Sequence, residues 1–300
     1  MSLQSIINGR LGIGLILALG KLIPPSLGYP LAEKVAEKIS ANKDNKIVRA
    51  VRANQWIVSG RSLTEEQLDS QTLDTMRQTC RFLYDFYHEL DNYKKIVNRV
   101  TLSDKLVNFL TNRLNGDEGT IFVSPHISNF DFGGRAIALQ GFDVQVLSYP
   151  QPHGGYQWQN KLRKEAGMNV TPMSTENMHA AMLRLKNGGG IITGMDRPLD
   201  HTNYHPRFFG FPAPVPTSYV RMALKTKSAV SVLACLGVPE ENYHVECSDL
   251  IYMEPDKDPV REIEKNAEKV LREAERFIKK YPSQWSMSYP VWPFALEDMP

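Results

Sequence analysis

Short apolar runs alternate with helical stretches through the middle of this chain of 300 residues. The runs are rich in β-branched residues, and between them apolar residues recur every three to four positions. This cadence is typical of a mostly parallel sheet with helices on both faces. We therefore predict an α/β fold, with strands at residues 120–124, 144–147, 168–173, 190–194 and 229–236 and helices at residues 132–139, 156–166, 176–186 and 218–227.

Helices are also predicted on both sides of this region. Residues 63–90 show a helical period with Ser62 or Thr64 available as an N-terminal cap, and a second helix fits residues 102–114. The clearest helix follows Asp258, a capping residue, and ends before Pro282. Its apolar stripe predicts a core face, and its glutamates and lysines predict a solvated face without a functional role.

The amino-terminal residues predict membrane association without a membrane span. The apolar run at residues 11–18 ends before Lys21 and is about half as long as the roughly 20 residues that a spanning helix needs. Residues 31–39 follow as an amphipathic helix. We expect residues 1–40 to form helices in the membrane interface and residues 41–300 to form one α/β domain. The alternative is a helical hairpin that only covers the core.

Charge and cysteine content exclude two classes of protein. The formal net charge is +2, so no overall basic field favours a nucleic-acid partner. The three cysteines, Cys80, Cys235 and Cys247, have no CxxC spacing, which argues against a disulfide framework and for a reducing compartment. They are predicted to be small buried residues.

A histidine and an aspartate follow the strand predicted at residues 120–124. His126 lies just past the strand and Asp131 lies five residues later, near the start of a helix. Ligands of open α/β sheets bind at this edge. The carboxylate can accept from one ring nitrogen, so that the other nitrogen removes a proton from a hydroxyl or thiol. Backbone N–H groups near Gly133 and Gly134 are candidate donors to a developing oxyanion. The alternative is a loop histidine whose ring is merely satisfied by a carboxylate.

A second cluster follows the strand at residues 190–194. Asp196 and Arg197 are predicted at the same sheet edge as His126, and an arginine suits bidentate capture of phosphate or carboxylate. A surface ion pair is the alternative. The helix at residues 156–166 carries a basic group around Arg163, which is either an anion site or a solvated face.

Neither a metal nor a protein nucleophile is expected. His201 and His205 are four residues apart, but Pro206 argues against the helix that would align them as ligands. No GxSxG motif is present, so the substrate itself is expected to supply the attacking hydroxyl. We expect no cofactor.

Four motifs in order carry a resemblance to a known family. The spacing of His126 and Asp131 resembles the HX4D signature of the lysophospholipid acyltransferase superfamily. The later motifs are similar to those of the lipid A biosynthesis acyltransferases and the mycobacterial phosphatidylinositol mannoside acyltransferase, and the amino-terminal apolar segment matches in position. These motifs are Gly194-Met195-Asp196-Arg197-Pro198, Phe208-Phe209-Gly210-Phe211-Pro212-Ala213 and Tyr281-Pro282-Ser283-Gln284-Trp285.

The resemblance implies roles for individual residues. His126 would be the general base and Asp131 its orienting partner. Asp196 falls where the family carries an acidic residue close to that pair, Arg197 would help to hold the acceptor, and Arg163 falls where the family has a substrate-binding arginine. The tetrad that begins at Met195 departs from the usual lipid A pattern, which leaves the acceptor less well defined than the reaction.

The function implied is acyl transfer at the cytoplasmic face of the inner membrane. A peripheral enzyme would move a fatty acyl group from a thioester donor, acyl-CoA or acyl-carrier protein, to a hydroxyl of a membrane glycolipid or lysolipid. No acyl-enzyme would form. Two alternatives stay open at this stage: a lipid ester or phosphoester hydrolase that uses the same His–Asp pair, and a non-enzymatic lipid-binding protein.

Overall fold

A central seven-stranded sheet organises the part of the chain that the structure, a computed structural model, describes. That part comprises residues 20–89, 91–112, 116, 118–150, 155–237 and 242–300. The strand order is β1-β9-β8-β2-β5-β3-β4. The strands are β1 Val100–Leu102, β2 Thr120–Ser124, β3 Val144–Ser148, β4 Asn169–Pro172, β5 Gly190–Gly194, β8 Ala229–Gly237 and β9 Tyr243–Cys247.

The predicted α/β class with a mostly parallel sheet is confirmed. Strands β8, β2, β5, β3 and β4 run parallel to one another, and each lies at one of the predicted apolar runs. Strand β9 runs antiparallel to β8, and β1 pairs with β9. These two strands, which lie at one end of the sheet, were not predicted. Strand β1 has three residues, and in β9 buried and half-buried residues alternate, unlike the continuous apolar runs of the central strands.

Helices cover both faces of the sheet. Neighbouring residues of β2 point to opposite sides, so Ile121 and Val123 pack in one core cluster while Phe122 packs in the other. The helices are α1 Pro25–Ser40, α2 Lys46–Val58, α3 Glu65–His88, α4 Tyr93–Arg99, α5 Asp104–Asn112, α6 Phe130–Leu139, α7 Gly155–Glu165, α8 Thr175–Lys186, α9 Ser218–Thr226, α10 Pro259–Lys280 and α11 Ala295–Asp298.

Local sequence signals set the ends of the long helices. Thr64 caps α3, and its side chain and that of Gln67 form a reciprocal capping box. Asp258 accepts from two backbone N–H groups at the start of α10, as predicted. Helix α2 was not predicted, although Asn45 caps it in the same way.

Small residues bring α1 close to α3. The buried residues of α1 are Gly28, Ala32 and Ala36, spaced four apart, and an added Cβ at Gly28 would lie 2.2 Å from the Tyr84 ring. The Tyr29 hydroxyl donates to the buried Asp85 carboxylate at 2.6 Å. The apolar run at residues 11–18 lies outside the described residues. None of the described helices is both long and apolar enough to cross a membrane.

Two short strands form a hairpin beside the sheet. Strands β6 Arg207–Phe208 and β7 Phe211–Pro212 are joined by Phe209 and Gly210, which both have positive φ angles. The rings of Phe208 and Phe209 pack on Trp285 and Trp292. The hairpin therefore supports the carboxy-terminal segment that reaches the candidate site.

Candidate active site

The register of two central strands brings His126 and Asp196 together. Ser124 at the end of β2 pairs with Gly194 at the end of β5. His126 and Asp196 each lie two residues past this pair, one after β2 and the other after β5, so the register places them side by side. An added Cβ at Gly194 would lie 3.6 Å from the imidazole Cε1. The two side chains therefore meet at the carboxyl edge of the sheet, where ligands of such folds bind.

Asp196 orients the His126 ring. The imidazole Nδ1 lies 2.6 Å from Asp196 Oδ1, and the backbone N–H of His126 donates to Asp196 Oδ2 at 2.8 Å. Asp196 is fully buried, whereas 32% of the His126 side-chain surface is exposed. One edge of the imidazole is thus fixed to a buried carboxylate while part of the ring stays accessible.

This contact sets the chemistry of the ring. A neutral imidazole carries one N–H donor and one acceptor nitrogen. Because an ionised carboxylate only accepts, the contact with Asp196 assigns the proton to Nδ1 and the free lone pair to Nε2. Nε2 has no hydrogen-bond partner within the described residues. The Phe130 ring packs edge-on against the imidazole at a centroid distance of 5.0 Å. Nε2 is therefore available as a base.

The closing Gln284-Trp285 motif holds this arrangement from the other side. Trp285 is buried, and its Nε1 donates to Asp196 Oδ2 at 2.7 Å. The Ser286 N–H donates to the His126 carbonyl at 3.0 Å. The Gln284 carbonyl accepts from Ser128, and its side-chain amide bridges Gly237 at the end of β8. The motif thus ties the His126 loop to two strand ends.

Asp131 has a different partner from the predicted one. Its two oxygens accept from Arg163 Nε at 2.6 Å and from Arg163 Nη2 at 2.8 Å. Arg163 Nη1 donates to Asn160 at 2.7 Å. The predicted hydrogen bond between Asp131 and the His126 ring is not formed, because Asp196 occupies Nδ1 and Arg163 occupies the Asp131 carboxylate. The catalytic role predicted for Asp131 stays a prediction.

The Arg163 guanidinium is a buried ion-pair partner rather than an exposed basic group. Burial alone would lower its pKa, but the adjacent Asp131 carboxylate raises the pKa above its usual range. The Tyr156 ring lies 5.4 Å from the guanidinium carbon. This geometry favours neither a solvated face nor an open anion site. The substrate-binding role predicted for Arg163 stays a prediction.

Gly133 and Gly134 serve helix packing. The Gly133 N–H donates to the carbonyl of Asn129, the residue that caps α6, at 3.3 Å, so it is not free for an oxyanion. An added Cβ at Gly133 would lie 3.1 Å from Cys235, and one at Gly134 would lie 2.9 Å from Met168. The two glycines therefore allow close contact between α6 and its neighbours. The substrate-binding role predicted for Gly133 and Gly134 stays a prediction.

Arg197 is held between two exposed tyrosines. Its guanidinium carbon lies 5.2 Å from the Tyr149 ring centroid and 4.3 Å from the Tyr289 ring centroid. Arg197 Nη2 donates to the Tyr289 hydroxyl at 3.0 Å. No carboxylate pairs with Arg197 among the described residues, so the alternative of an Asp196–Arg197 surface pair is excluded.

Cysteine chemistry is not indicated at the site. The three cysteines are free thiols. Burial raises the pKa of Cys235 to about 12 and that of Cys247 to about 11, which keeps both thiols protonated at neutral pH. Within the described ranges, no group of three or more histidine, cysteine, aspartate or glutamate side chains is placed to hold a metal ion.

Comparison with known proteins decides the family. The sequence model of the bacterial lipid A biosynthesis acyltransferases matches residues 3–293. The chain belongs to this family. No individual curated protein gives a significant match. As a lipid A-type acyltransferase, it acts in lipid biosynthesis with a lipid acceptor and an acyl donor.

In this lipid A-type acyltransferase, sequence reasoning missed several site residues. It placed Asp196 at the edge of the sheet but paired His126 with the nearer aspartate in sequence. It gave no role to Trp285, Tyr149 or Tyr289. The signal in the sequence was that His126 and Asp196 each stand two residues beyond a predicted strand, which placed them at one edge of the sheet without joining them. The two tyrosines had no comparable signal.

Proposed function

We propose that the protein transfers a fatty acyl group from acyl-CoA or acyl-carrier protein to a hydroxyl of a membrane glycolipid or lysolipid. The observation that carries this mechanism is the 2.6 Å contact between His126 Nδ1 and the buried Asp196 carboxylate. Nε2 takes the proton of the acceptor hydroxyl as its oxygen attacks the thioester carbonyl carbon. The tetrahedral intermediate expels the thiolate, which receives the proton from the imidazolium, and Asp196 stabilises the imidazolium meanwhile.

Direct attack without an acyl-enzyme is favoured by the surroundings of His126. The nearby serine hydroxyls are engaged or buried: Ser124 Oγ donates to the Pro125 carbonyl at 3.2 Å, and Ser128 is only 4% exposed. Neither forms a hydrogen bond with the imidazole in the described structure. A thioester is already activated, so a base and the alignment of two bound substrates can supply the required rate.

An exposed apolar row on α1 supports peripheral membrane association. The side chains of Leu27, Leu31 and Val35 are spaced four residues apart, and between 43% and 64% of each residue is exposed. Lys34 and Lys38 flank this row. The small residues of α1 face the protein while its large apolar residues face outward, which is the pattern of an interfacial helix.

We place this reaction at the cytoplasmic face of the inner membrane, as the family resemblance implies. Acyl-CoA and acyl-carrier protein would arrive from the aqueous side, and the acceptor hydroxyl would lie in the headgroup layer. No cofactor beyond the thioester donor is needed for the proposed steps.

The test combines thioester loss with lipid analysis. Purified protein is mixed with palmitoyl-CoA or palmitoyl-carrier protein, with and without lipids extracted from cells that carry the His126→Ala variant. We expect thioester loss only when the lipids are present, together with a new lipid heavier by one acyl group. Loss of thioester without lipid would indicate a hydrolase instead. The absence of any turnover, with no lipid difference between cells carrying wild-type and His126→Ala protein, would overturn the proposal.

A further inference from the structure

Asp85 on α3 is a buried carboxylate that the proposed mechanism does not use. Only 4% of the residue is exposed. Arg99 donates to both of its oxygens, at 3.2 and 3.0 Å. Tyr29 reaches Oδ1 from α1 at 2.6 Å, and Tyr243 reaches Oδ2 from β9. A carboxylate with this many donors has a fixed orientation, and it therefore also fixes the groups that donate to it.

Tyr243 connects this carboxylate to the start of α6. It is the first residue of β9 and is 2% exposed, and its ring contacts those of Phe82 and Phe132 at centroid distances of 6.1 and 5.4 Å. Burial and then the adjacent Asp85 carboxylate raise the pKa of Tyr243 well above its usual value, and a hydrogen bond with the Asn129 side chain lowers it in part. The hydroxyl therefore stays protonated at neutral pH, donates to Asp85 and accepts from Asn129.

Asn129 holds one end of the loop that carries His126. It is buried, follows His126 by three residues and caps α6. Its side-chain oxygen accepts from the Phe132 N–H at 3.4 Å, and its amide nitrogen donates to the Phe82 carbonyl at 3.2 Å. With the bond to Tyr243, the Asn129 side chain is joined to α3, α6 and β9 at once. Its position, and with it the end of the loop, is set by these three elements.

The loop needs such support because its backbone is strained. Ser128 has a φ of 50°, a left-handed conformation that persists in a non-glycine residue only where the surroundings enforce it. The Ser128 N–H donates to the Gln284 carbonyl at 2.7 Å, and Asn129 is the next residue. The strained turn is thus fixed on both sides. A small displacement of a catalytic group lowers the rate strongly, so the supports of this loop bear directly on His126.

We propose that Tyr243 is a positioning residue for the acyl transfer: Asp85 orients its hydroxyl, and the hydroxyl holds Asn129 and thereby the loop that presents His126 to the acceptor. The inference rests on the proposed function and deepens it, because it adds a second, buried support to the pair of His126 and Asp196. Tyr243 acts through Asn129 and is not itself a catalytic residue.

Two tyrosine variants separate positioning from simple stabilisation. Tyr243→Phe keeps the ring and removes the hydroxyl. We expect it to lower kcat about tenfold, the effect of one lost hydrogen bond, and to leave the KM values for palmitoyl-CoA and the lipid acceptor within about twofold. Tyr29→Phe is the matched control, because it removes a hydroxyl that donates to the same carboxylate from α1. It should shift the urea midpoint to a similar extent but leave kcat within about twofold.

The Nδ1–H proton of His126 reports on the loop without any turnover. In protein that carries isotope-labelled histidine, its NMR resonance is assigned by its absence in His126→Ala. We expect this resonance to shift or broaden in Tyr243→Phe and to stay unchanged in Tyr29→Phe. Asn129→Ser keeps a side-chain oxygen but removes the amide, so it should change the resonance and lower kcat as well. Adding Tyr243→Phe to it should cause little further loss, because both changes remove the same hydrogen bond.

The outcomes separate this inference from the proposed function. An equal loss of kcat in Tyr29→Phe and Tyr243→Phe, or an unchanged His126 resonance in Tyr243→Phe, would overturn the positioning role. Should Tyr243→Phe not fold, an unchanged resonance in Asn129→Ser would overturn it in the same way. If wild-type protein transfers no acyl group to any lipid while the resonance still responds to Tyr243→Phe and not to Tyr29→Phe, the proposed function fails and the link between Tyr243 and the imidazole stands.

Discussion

A buried carboxylate requires hydrogen-bond donors, and Asp196 receives three. They come from the imidazole and the backbone N–H of His126 and from the indole of Trp285. With both oxygens engaged, the carboxylate has a fixed orientation and transmits it to the imidazole. The His126–Asp196 contact is therefore a positioned pair, and its contribution to catalysis is testable.

We expect Asp196→Asn to lower kcat by about 10²–10⁴-fold, the usual contribution of a positioned acid–base pair. An amide at this position removes the negative charge that stabilises the imidazolium and can select the wrong tautomer. The KM values for donor and acceptor should change little. Steady-state kinetics measure the effect, and circular dichroism verifies that the variant is folded.

Asp131→Asn provides the matched comparison on the neighbouring carboxylate. Its effect on kcat should be smaller than that of Asp196→Asn, because Asp131 contacts Arg163 rather than the imidazole. A full loss of activity in Asp131→Asn with near wild-type activity in Asp196→Asn would contradict the assignment of the His126 partner.

The Asp131–Arg163 ion pair should affect stability mainly when only one of its two partners is removed. Both side chains are mostly buried, with 11% and 7% of their surfaces exposed. Removing one partner leaves a buried charge, so Asp131→Leu or Arg163→Met should each lower the free energy of unfolding by about 3–5 kcal/mol. The double variant should be less destabilised than the sum of the two. Urea unfolding measures this cycle, and strictly additive losses would contradict direct pairing.

Sequence spacing alone could not assign the partner of His126. Asp131 is five residues away and Asp196 is seventy residues away, so local proximity favours the wrong choice. The pairing depends on the β2–β5 register, which sequence patterns do not specify. Knowing that both residues follow strands was enough to place them at one edge but not to join them.

At the scale of elements, three glutamates of α10 fix the segment beside the site. Glu264, Glu268 and Glu275 accept the backbone N–H groups of His205, Arg207 and Phe209. The three glutamates lie on one face of the helix, and the three donors are every second residue of an extended segment. The helical repeat therefore places the glutamates opposite the N–H groups that point to the same side of the segment. The sequence predicted a solvated face without a functional role and did not show that three of its glutamates accept backbone N–H groups, because helical periodicity does not reveal which carboxylates meet a neighbouring backbone.

Glu275 is expected to matter most within this set. Phe209 adopts a left-handed conformation with φ of 50°, which costs a non-glycine residue roughly 1–2 kcal/mol. Its N–H donates to Glu275 at 2.6 Å, and this bond offsets the strain. Glu275→Ala should lower the free energy of unfolding by about 1–3 kcal/mol. Hydrogen exchange of residues 204–212 should accelerate as well.

Glu273→Ala is the matched control for Glu275→Ala. Glu273 lies on the same helix and pairs with the exposed Arg276 three residues later. Loss of such a surface pair costs at most about 1 kcal/mol. Equal protection of residues 204–212 in both variants would contradict the role assigned to Glu275.

Other elements show where sequence patterns succeed and fail. The central strands were located from their β-branched runs because both faces of a covered parallel sheet are apolar. Strand β9 was not predicted because buried and half-buried residues alternate along it. Helix α2 was not predicted although a capping asparagine precedes it. Asn54 and Gln55 of that helix are buried and donate to carbonyls of the carboxy-terminal segment, which a search for apolar periodicity overlooks.

At the scale of the whole molecule, α1 bears two unlike surfaces. One contacts α3 through small residues, and the other exposes Leu27, Leu31 and Val35 to the surroundings. Exposed large apolar residues in a row are a feature of surfaces that meet another apolar phase. For a chain of this family, whose acceptor is a lipid, we propose that this phase is the bilayer.

We expect the double variant Leu27→Ser/Leu31→Ser to weaken binding to vesicles by about 10–1,000-fold. Complete burial of a leucine side chain contributes roughly 1.5–3 kcal/mol, and a helix that lies in the membrane interface buries each leucine only in part. Sedimentation with phosphatidylethanolamine–phosphatidylglycerol vesicles measures the change. The melting temperature should stay within a few degrees of wild type, because both side chains are already exposed in the folded protein.

Leu183→Ser separates this effect from a general loss of surface hydrophobicity. Leu183 on α8 is 48% exposed, the same fraction as Leu31, but α8 carries no comparable row of exposed apolar residues. Vesicle binding by Leu183→Ser should therefore equal that of wild type. If it fell as far as in the α1 double variant, the membrane contact would not be specific to α1. If neither variant changed binding, α1 would not be the membrane-facing element, while the His126–Asp196 chemistry would be unaffected.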